Sequence, residues 1–360
     1  MRVEIAHDYL TQRGGAERVV LSMLGAFPDA RVHTLLYDPP GTFPEFAAAR
    51  VRTSPLSRIG LLRRNHRLAF PVLSGATDRL RIDADVVVCS SSGWAHGVRT
   101  PGAKVVYCHS PARWLYQPEA YLRGAGAPVR FAARVLREPL VRWDKRAAHS
   151  ADRYVVNSTH VAHSVRDLYG IDPEVLPPPP ALTPHGKREA VEDIEPGFVL
   201  CVSRLLPYKN VDAVVTAFGR LRDERLVVVG DGPERQRLAQ LAGPNVTLLG
   251  RVGDARLRWL YEHAAALVVA SYEDYGLTPL EAAGFDKPTA ALRFGGLVDT
   301  VADGETGLFF GNASPKEIAT VLGAVLRERW SAEALEAHAA RFSRERFVGR
   351  LREIVKAAAQ

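Results

Sequence analysis

Two basic residues are spaced to bind an anion in the second half of the sequence. Residues 201–210 begin as an apolar strand and end just before a predicted helix. Arg204 leaves the strand end and Lys209 follows five residues later, so both cations can converge on one anion above a sheet. This spacing favours a diphosphate, and the alternative is a pair of solvated basic residues on a loop.

Two carboxylates lie eight residues apart in a later turn, residues 270–282. Thr278 suits a helix N-cap, and Glu281, three residues on, completes a capping box, which gives Glu281 a structural role. Glu273 has no such explanation. It precedes a predicted helix N-terminus whose free amides, at Gly276, Leu277 and Thr278, suit a phosphate.

Glycines and a histidine mark further turns between strands and helices. Gly14 and Gly15 follow the first strand and would let the backbone approach a phosphate closely, although paired glycines are also common in ordinary turns. Gly230 and Gly232 would let the chain turn sharply after another strand and leave a flat shelf, where Gly232 is a candidate donor-binding residue. His109 lies at the carboxyl end of a strand, where a ligand role and a structural role both remain open.

Short β-branched runs alternate with helical segments, which predicts crossover βαβ units and two mainly parallel, doubly wound α/β sheets. In the first half the predicted strands are Val3–His7, Val32–Leu35, Val86–Cys89, Val105–Cys108 and Tyr154–Asn157. In the second half they are Val199–Ser203, Leu226–Val229, Val246–Leu249, Leu267–Ala270, Thr289–Leu292 and Leu308–Phe310.

The proline-rich segment 176–186 separates the two sets of strands and can join neither a sheet nor a helix interior. We therefore expect one Rossmann-like domain over 1–180 and a second over 187–342, facing each other across a cleft. A last helix, residues 343–360, is expected to cross back to the first domain.

Composition narrows the class of protein. Of the net charge of +7, residues 1–180 carry +8 and residues 181–360 carry −1. The N-terminus shows no secretory pattern and no apolar run is long enough to span a bilayer, which favours a cytoplasmic protein. The three cysteines lie in or beside apolar runs and are expected to be buried thiols: Cys89, Cys108 and Cys201.

Taken in order, these motifs resemble the retaining glycosyltransferases of family 4, which have the GT-B fold of two Rossmann-like domains. The resemblance spans nearly the whole chain and is most specific in the E-x7-E motif from Glu273 to Glu281. The supporting motifs are Gly14-Gly15, the Arg204 and Lys209 pair, Gly230-Asp231-Gly232, Pro288, Gly295-Gly296-Leu297 and residues 303–308.

The resemblance implies a role for each matching residue. Arg204 and Lys209 correspond to the pair that binds the leaving diphosphate, and Glu273 to the carboxylate that contacts donor-sugar hydroxyls. The remaining matches imply contacts of Glu281 with the ribose, of His109 with the donor sugar, of Gly15, Leu277 and Thr278 with phosphates, and of Arg251 and Val252 with the nucleobase.

The implied reaction transfers a hexose from a nucleotide sugar to a saccharide or lipid-linked saccharide, with no metal and no separate cofactor. The branch resembled includes mannosyltransferases of bacterial polysaccharide assembly, so GDP-mannose is the favoured donor and a UDP-hexose the alternative. Two other interpretations are a nucleotide-sugar 2-epimerase of the same fold, which the E-x7-E motif disfavours, and a basic nucleic-acid-binding protein. Because no nucleic-acid-binding module is present, we expect no nucleic-acid partner.

An arginine-rich segment accounts for most of the basic charge. Between Arg50 and Arg81 there are eight arginines and one acid, Asp78, interleaved with leucines, isoleucine and phenylalanine. Such a segment can lie on an anionic bilayer and would place the protein peripherally on the inner face of a membrane. Arginines that solvate a polar face or line an acceptor pocket are the alternative.

Overall fold

The computed structural model describes residues 1–117 and 127–360, which form two compact units. The first unit comprises Met1–Pro178 and Arg344–Gln360, and the second comprises Pro179–Ser343. The division falls inside the proline-rich segment, where residues 176–186 form no helix or strand. The last helix, Arg344–Ala358, belongs to the first unit.

The first unit contains a parallel sheet with the strand order β3-β2-β1-β4-β5-β6-β7. This is the order of a Rossmann sheet, in which the winding direction reverses between β1 and β4. Its strands are β1 (Val3–His7), β2 (Val32–Thr34), β3 (Val51–Thr53), β4 (Val86–Ser91), β5 (Ala103–Cys108), β6 (Arg153–Val156) and β7 (Glu174–Val175).

The second unit repeats this architecture with the order β10-β9-β8-β11-β12-β13, again all parallel. The reversal here lies between β8 and β11. Its strands are β8 (Phe198–Val202), β9 (Leu226–Val229), β10 (Val246–Gly250), β11 (Ala264–Val269), β12 (Thr289–Leu292) and β13 (Gly307–Phe310).

Helices connect the strands and cover the faces of each sheet. They are α1 (Gly15–Ala26), α2 (Gly60–Arg64), α3 (Phe70–Arg79), α4 (Arg113–Tyr116), α5 (Ala127–Ala148), α6 (Thr159–Tyr169), α7 (Val211–Ala217), α8 (Arg235–Leu241), α9 (Asp254–His263), α10 (Thr278–Gly284), α11 (Leu297–Thr300), α12 (Pro315–Arg327), α13 (Ala332–Ala340) and α14 (Arg344–Ala358). Short 3-10 turns include Pro44–Ala48, Pro55–Arg58, His66–Ala69, Ala95–Gly97 and Pro207–Lys209.

Successive residues of the first sheet pack into different cores. Val86 and Val88 of β4 join a cluster with α1 and α14, whereas Val87 and Cys89 join a cluster with α6 on the other face. Strands buried on both faces must be apolar at every position, which is why they were recognisable as continuous apolar runs.

The predicted strands all form, with ends within three residues of the expected ones. The strands β3 and β7, of three and two residues, were not predicted because such short segments carry no periodic signal. The three cysteines are free and buried, as expected.

Candidate functional site

The strongest site candidates of the second unit follow β8 and β11, the neighbouring strands between which the sheet reverses direction. Loops that leave such a switch point in opposite directions open a crevice beyond the strand ends. Two hydrogen bonds join these loops: Asn210 Nδ2 donates to the Ala270 carbonyl at 2.8 Å, and the Tyr272 amide donates to the Tyr208 carbonyl at 3.4 Å.

Lys209 and Glu273, one from each loop, form an ion pair in which Lys209 Nζ donates to Glu273 Oε1. The Ser271 hydroxyl donates to the same oxygen at 2.7 Å. The Lys209 side chain is 9% exposed and that of Glu273 is 24% exposed. The pair therefore sits at the border between protein and solvent, where a bound anion can reach the ammonium group.

Arg204 is exposed, and Tyr208 links it to Lys209. Its Nη2 donates to the Tyr208 hydroxyl at 3.2 Å, and Lys209 Nζ lies 5.1 Å from the centroid of the Tyr208 ring. Both cations thus contact one tyrosine, which the sequence analysis did not single out. Its position directly before Lys209 was the signal that could have identified Tyr208. Ser271, which bonds Glu273, was likewise missed, and its position two residues before Glu273 was the corresponding signal.

The glycines after β9 are explained by the packing of the Arg204 loop. A Cβ on Gly230 would lie 1.8 Å from the Ser203 carbonyl oxygen, and one on Gly232 would lie 2.3 Å from that of Leu205. Gly230 also has a φ of +138°, which disfavours any other residue. Gly232, a predicted donor-binding residue, therefore has a structural reason to be glycine.

The capping box predicted for α10 is wrong. The helix starts at Thr278 after an N-cap at Leu277 that has no side-chain cap. The Glu281 carboxylate instead accepts hydrogen bonds from the Leu182 amide at 3.2 Å and the Tyr261 hydroxyl at 2.8 Å, and it is 5% exposed. The spacing between Thr278 and Glu281 suggested a helix cap, but the hydrogen-bond donors to Glu281 come from segments distant in the sequence.

The other predicted phosphate contacts of this loop are half-buried, at Gly276, Leu277 and Thr278. Gly276 has a φ of +91°, and a Cβ there would lie 2.6 Å from Leu297 Cδ2. Its backbone conformation and packing therefore require glycine even without a ligand.

The remaining predicted donor contacts lie at the ends of β1 and β10. Gly14 is the N-cap of α1 and Gly15 its first residue; a Cβ on Gly14 would lie 2.6 Å from Glu17 Oε2. Arg251, exposed, and Val252, half-buried, follow β10 directly.

His109 follows β5 in the first unit and is 9% exposed. The Ser90 hydroxyl lies 2.8 Å from its Nε2, and Asn157 Nδ2 donates to its carbonyl at 3.0 Å. Burial, and next the charge of His7, lower the pKa of His109 to about 3, so the ring is neutral. The sequence analysis missed Ser90, although three serines end the apolar run of β4.

The described ranges, 1–117 and 127–360, contain neither a metal-binding cluster nor a helix that could cross a membrane. No three His, Cys, Asp or Glu side chains there are grouped to hold a metal ion. No helix in those ranges combines the length and the apolar character needed to span a bilayer.

Two family models match the chain, one on each unit. Residues 13–179 match Glycosyltransferase Family 4, and residues 186–342 match Glycosyl transferases group 1. The two Rossmann sheets define the GT-B glycosyltransferase fold. Within that class, the chain carries a Family 4 domain followed by a group 1 domain.

Curated relatives match over part of their length. A D-inositol 3-phosphate glycosyltransferase of Acidothermus cellulolyticus is 34% identical over 231 residues, 54% of this chain and 50% of the relative. One from Nocardia farcinica is 35% identical over 239 residues, 57% of this chain and 53% of the relative. The chain thus spans about half the length of these relatives.

Solved structures match nearly the whole chain. HepE of Anabaena, in complex with UDP-glucose, aligns with a TM-score of 0.73 at 17% identity, covering 99% of this chain and 100% of HepE. The lipopolysaccharide outer core galactosyltransferase WaaB aligns with a TM-score of 0.68 at 14% identity, covering 99% of each chain. At such identities the likeness shows the fold alone.

Proposed function

We propose that this protein is a retaining, metal-independent glycosyltransferase that moves a hexose from a nucleotide sugar to a saccharide or lipid-linked saccharide. One observation carries the proposal: Lys209 and Glu273 form an ion pair at a sheet switch point, and Arg204 reaches the same tyrosine as Lys209. The arrangement offers cations for a leaving diphosphate beside a carboxylate for sugar hydroxyls.

The chemistry needs charge stabilisation more than a nucleophile. Breaking the bond between the anomeric carbon and the diphosphate leaves negative charge on the departing oxygens, which Arg204 and Lys209 stabilise. We assign Glu273 to hydrogen bonds from the donor sugar and Glu281 to hydrogen bonds from the ribose. The family resemblance assigns His109 to the donor sugar as well. The acceptor hydroxyl attacks from the face that the diphosphate leaves and gives its proton to a departing phosphate oxygen, which retains the configuration.

The backbone and nucleobase contacts follow the family resemblance. We assign phosphate contacts to the backbone at Gly15, Leu277 and Thr278. Arg251 and Val252 are assigned to the nucleobase because they follow the third strand of the second unit along the chain.

GDP-mannose is the first donor to test, with UDP-hexoses as the alternative. The motifs near Gly14 and His109 resemble a mannosyltransferase branch, whereas HepE was solved with UDP-glucose. The measurement is a thermal-shift and donor-hydrolysis panel of GDP-mannose, UDP-glucose, UDP-galactose, UDP-N-acetylglucosamine and TDP-glucose. Inositol 3-phosphate, named in the relatives, joins saccharides among the acceptors.

A matched pair of variants tests the site in that panel. Lys209→Ala removes the buried cation, whereas Lys316→Ala removes an exposed lysine of the same unit. Donor hydrolysis or transfer should fall by about 10²–10³-fold in the first variant and persist in the second. Full activity in Lys209→Ala would overturn the site assignment, and no stabilisation of the wild type by any nucleotide sugar would overturn the proposed function.

We also propose that the arginine-rich segment binds an anionic membrane from the cytoplasmic side and so gives access to a lipid-linked acceptor. Arg50, Arg52, Arg58, Arg64, Arg79 and Arg81 are exposed, whereas Arg63 lies 3.4 Å from Asp38 and the side chain of Arg67 is outside the described residues. Four large apolar side chains are exposed among them, at Ile59, Leu61, Leu68 and Val72.

Vesicle sedimentation tests this surface. Each basic residue near an anionic bilayer contributes about 1 kcal/mol. Arg58→Ala with Arg64→Ala should therefore weaken binding to phosphatidylglycerol vesicles about 30-fold. Arg220→Ala with Arg222→Ala removes two exposed arginines of the second unit and should not weaken it. If the wild type fails to bind at low salt, the membrane proposal is wrong and the arginines serve another role.

A further inference from the structure

A line of buried polar side chains leads to His109 in the first unit. It begins at Glu17, whose Oε1 lies 3.8 Å from His7 Nε2, and continues from His7 Nδ1 to Ser90. It ends where Ser90 Oγ meets His109 Nε2 at 2.8 Å. None of these four side chains is more than 9% exposed, and β1 and β4, which supply His7 and Ser90, flank the switch point of this sheet.

The geometry fixes where the protons of this line lie. His7 Nδ1 is 3.1 Å from the Ser90 carbonyl oxygen and 3.0 Å from its hydroxyl. A carbonyl oxygen can only accept, so His7 Nδ1 carries the proton and the Ser90 hydroxyl does not donate to it. The one further acceptor that this hydroxyl reaches in the described part of the chain is His109 Nε2. Leaving a buried donor unused is unfavourable, so the hydroxyl donates there.

We infer that Ser90 and His7 are positioning residues that hold His109 in its Nδ1–H tautomer, so that the ring donates a hydrogen bond to the substrate and does not act as a base. No hydrogen bond to Nδ1 is formed within residues 1–117 and 127–360, which leaves that N–H for a ligand. The inference rests on the proposed function only for the identity of the acceptor, a hydroxyl oxygen of the donor sugar.

The groups around the line support a neutral donor. The Tyr107 ring meets the His109 ring edge-on at 5.2 Å. Asp8 accepts the backbone amides of Ser92 and Ala95 at 2.7 and 2.6 Å, so its carboxylate is engaged in that loop. The Glu17 carboxylate lies 3.8 Å from His7 Nε2, at the opposite end of the series of contacts from His109.

Long-range proton–nitrogen NMR of the full chain labelled with 15N-histidine tests the tautomer directly. The His109 signals, identified by their loss in His109→Gln, should show a protonated Nδ1 and an unprotonated Nε2 at neutral pH. Ser90→Ala should abolish this bias, and Ser90→Thr, which keeps the hydroxyl, should preserve it. Ser91→Ala is the matched control: Ser91 is equally buried in β4 but bonds His96 Nδ1 at 2.9 Å, so its loss should leave His109 unchanged.

A protonated Nε2 in the wild type, or unchanged His109 signals in a folded Ser90→Ala variant, would overturn the inference. Activity gives a second readout, because an asparagine amide lies near the place of Nδ1 and a glutamine amide near that of Nε2. His109→Asn should retain at least about tenfold more transfer than His109→Gln, in line with one discriminating hydrogen bond; the reverse order would overturn the donor role. Absence of transfer by the wild type would instead overturn the proposed function and leave the NMR result standing.

Discussion

The hydroxyl of Tyr261 donates a 2.8 Å hydrogen bond to the carboxylate of Glu281, and both side chains are buried. Burial, and next the Glu281 charge, raise the pKa of Tyr261 well above its usual value, so the phenol stays protonated and remains the donor. A carboxylate that we assign to the ribose therefore also holds the interior of the second unit together.

This double role predicts that Glu281→Ala loses stability as well as activity. The change leaves the Tyr261 hydroxyl and the Leu182 amide without an acceptor, at a cost of about 1–3 kcal/mol each. Glu281→Gln should be much milder, because the amide oxygen can accept from Leu182 while the amide nitrogen donates to Tyr261. Urea unfolding of both variants checks this, and a Glu281→Ala protein as stable as the wild type would contradict it.

The ion pair of Lys209 and Glu273 predicts opposite effects on product binding. Both Lys209→Ala and Glu273→Ala should lower turnover by about 10²–10³-fold, the usual effect of losing one charge-stabilising group. Lys209→Ala should also weaken binding of the nucleoside diphosphate. Glu273→Ala should bind it at least as well as the wild type, because we assign the carboxylate to the sugar and its negative charge would repel the phosphates.

Calorimetric titration with GDP and UDP separates these effects. The turnover of the double variant, Lys209→Ala with Glu273→Ala, measures the coupling between the two residues. If they act as a unit, the loss in the double variant will differ from the sum of the two single losses. If both single variants bound the diphosphate equally weakly, the division of roles between cation and carboxylate would be wrong.

Local patterns in the sequence were sufficient to locate the strands and the loops that carry Arg204, Lys209 and Glu273. Parallel strands buried on both faces are apolar throughout, and their carboxyl ends collect the polar loop residues. This is why the sequence alone places the motifs at the ends of β8 and β11 at one edge of a sheet.

Contacts between distant segments could not be predicted in the same way. Glu281 satisfies a local capping pattern, yet its partners are 20 and 99 residues away. Ser90 meets His109 because β4 and β5 pair with Ser90 opposite Tyr107. Sheet register, which no single segment encodes, determines that contact.

Replacing Gly230, the glycine after β9, by alanine should reduce both the stability of the protein and its binding of the donor. In Gly230→Ala the added Cβ would meet the Ser203 carbonyl oxygen at 1.8 Å, and the φ of +138° adds backbone strain. The loop that carries Arg204 must then shift, at a cost of about 1–3 kcal/mol. Thermal unfolding and nucleotide titration measure the two losses.

Gly349→Ala is the matched control for that substitution. Gly349 lies within α14, and a Cβ there would meet nothing within 4 Å. The same change should stabilise the protein by about 0.5–1 kcal/mol, because glycine is a poor helix residue. If the two variants behaved alike, steric exclusion at the Arg204 loop would not explain Gly230.

Acid should destabilise the protein partly through His109. Burial, and next the charge of His7, lower its folded-state pKa to about 3 from 6.5, so between these values the unfolded chain binds the proton more readily. Its contribution is therefore complete above pH 6.5 and is lost as the pH falls toward 3, by at most about 1.4 kcal/mol per pH unit. His7 acts in the opposite sense: burial lowers its pKa, but the hydrogen bond and charge of Glu17 outweigh this and raise it, so its contribution is lost as the pH rises.

Replacing His109 by Gln should flatten the acid limb of the unfolding midpoint between pH 6.5 and 4.5, whereas replacing the exposed His149 should leave it steep. Equal slopes in the wild type and the His109 variant would show that burial of a neutral His109 does not govern this pH dependence.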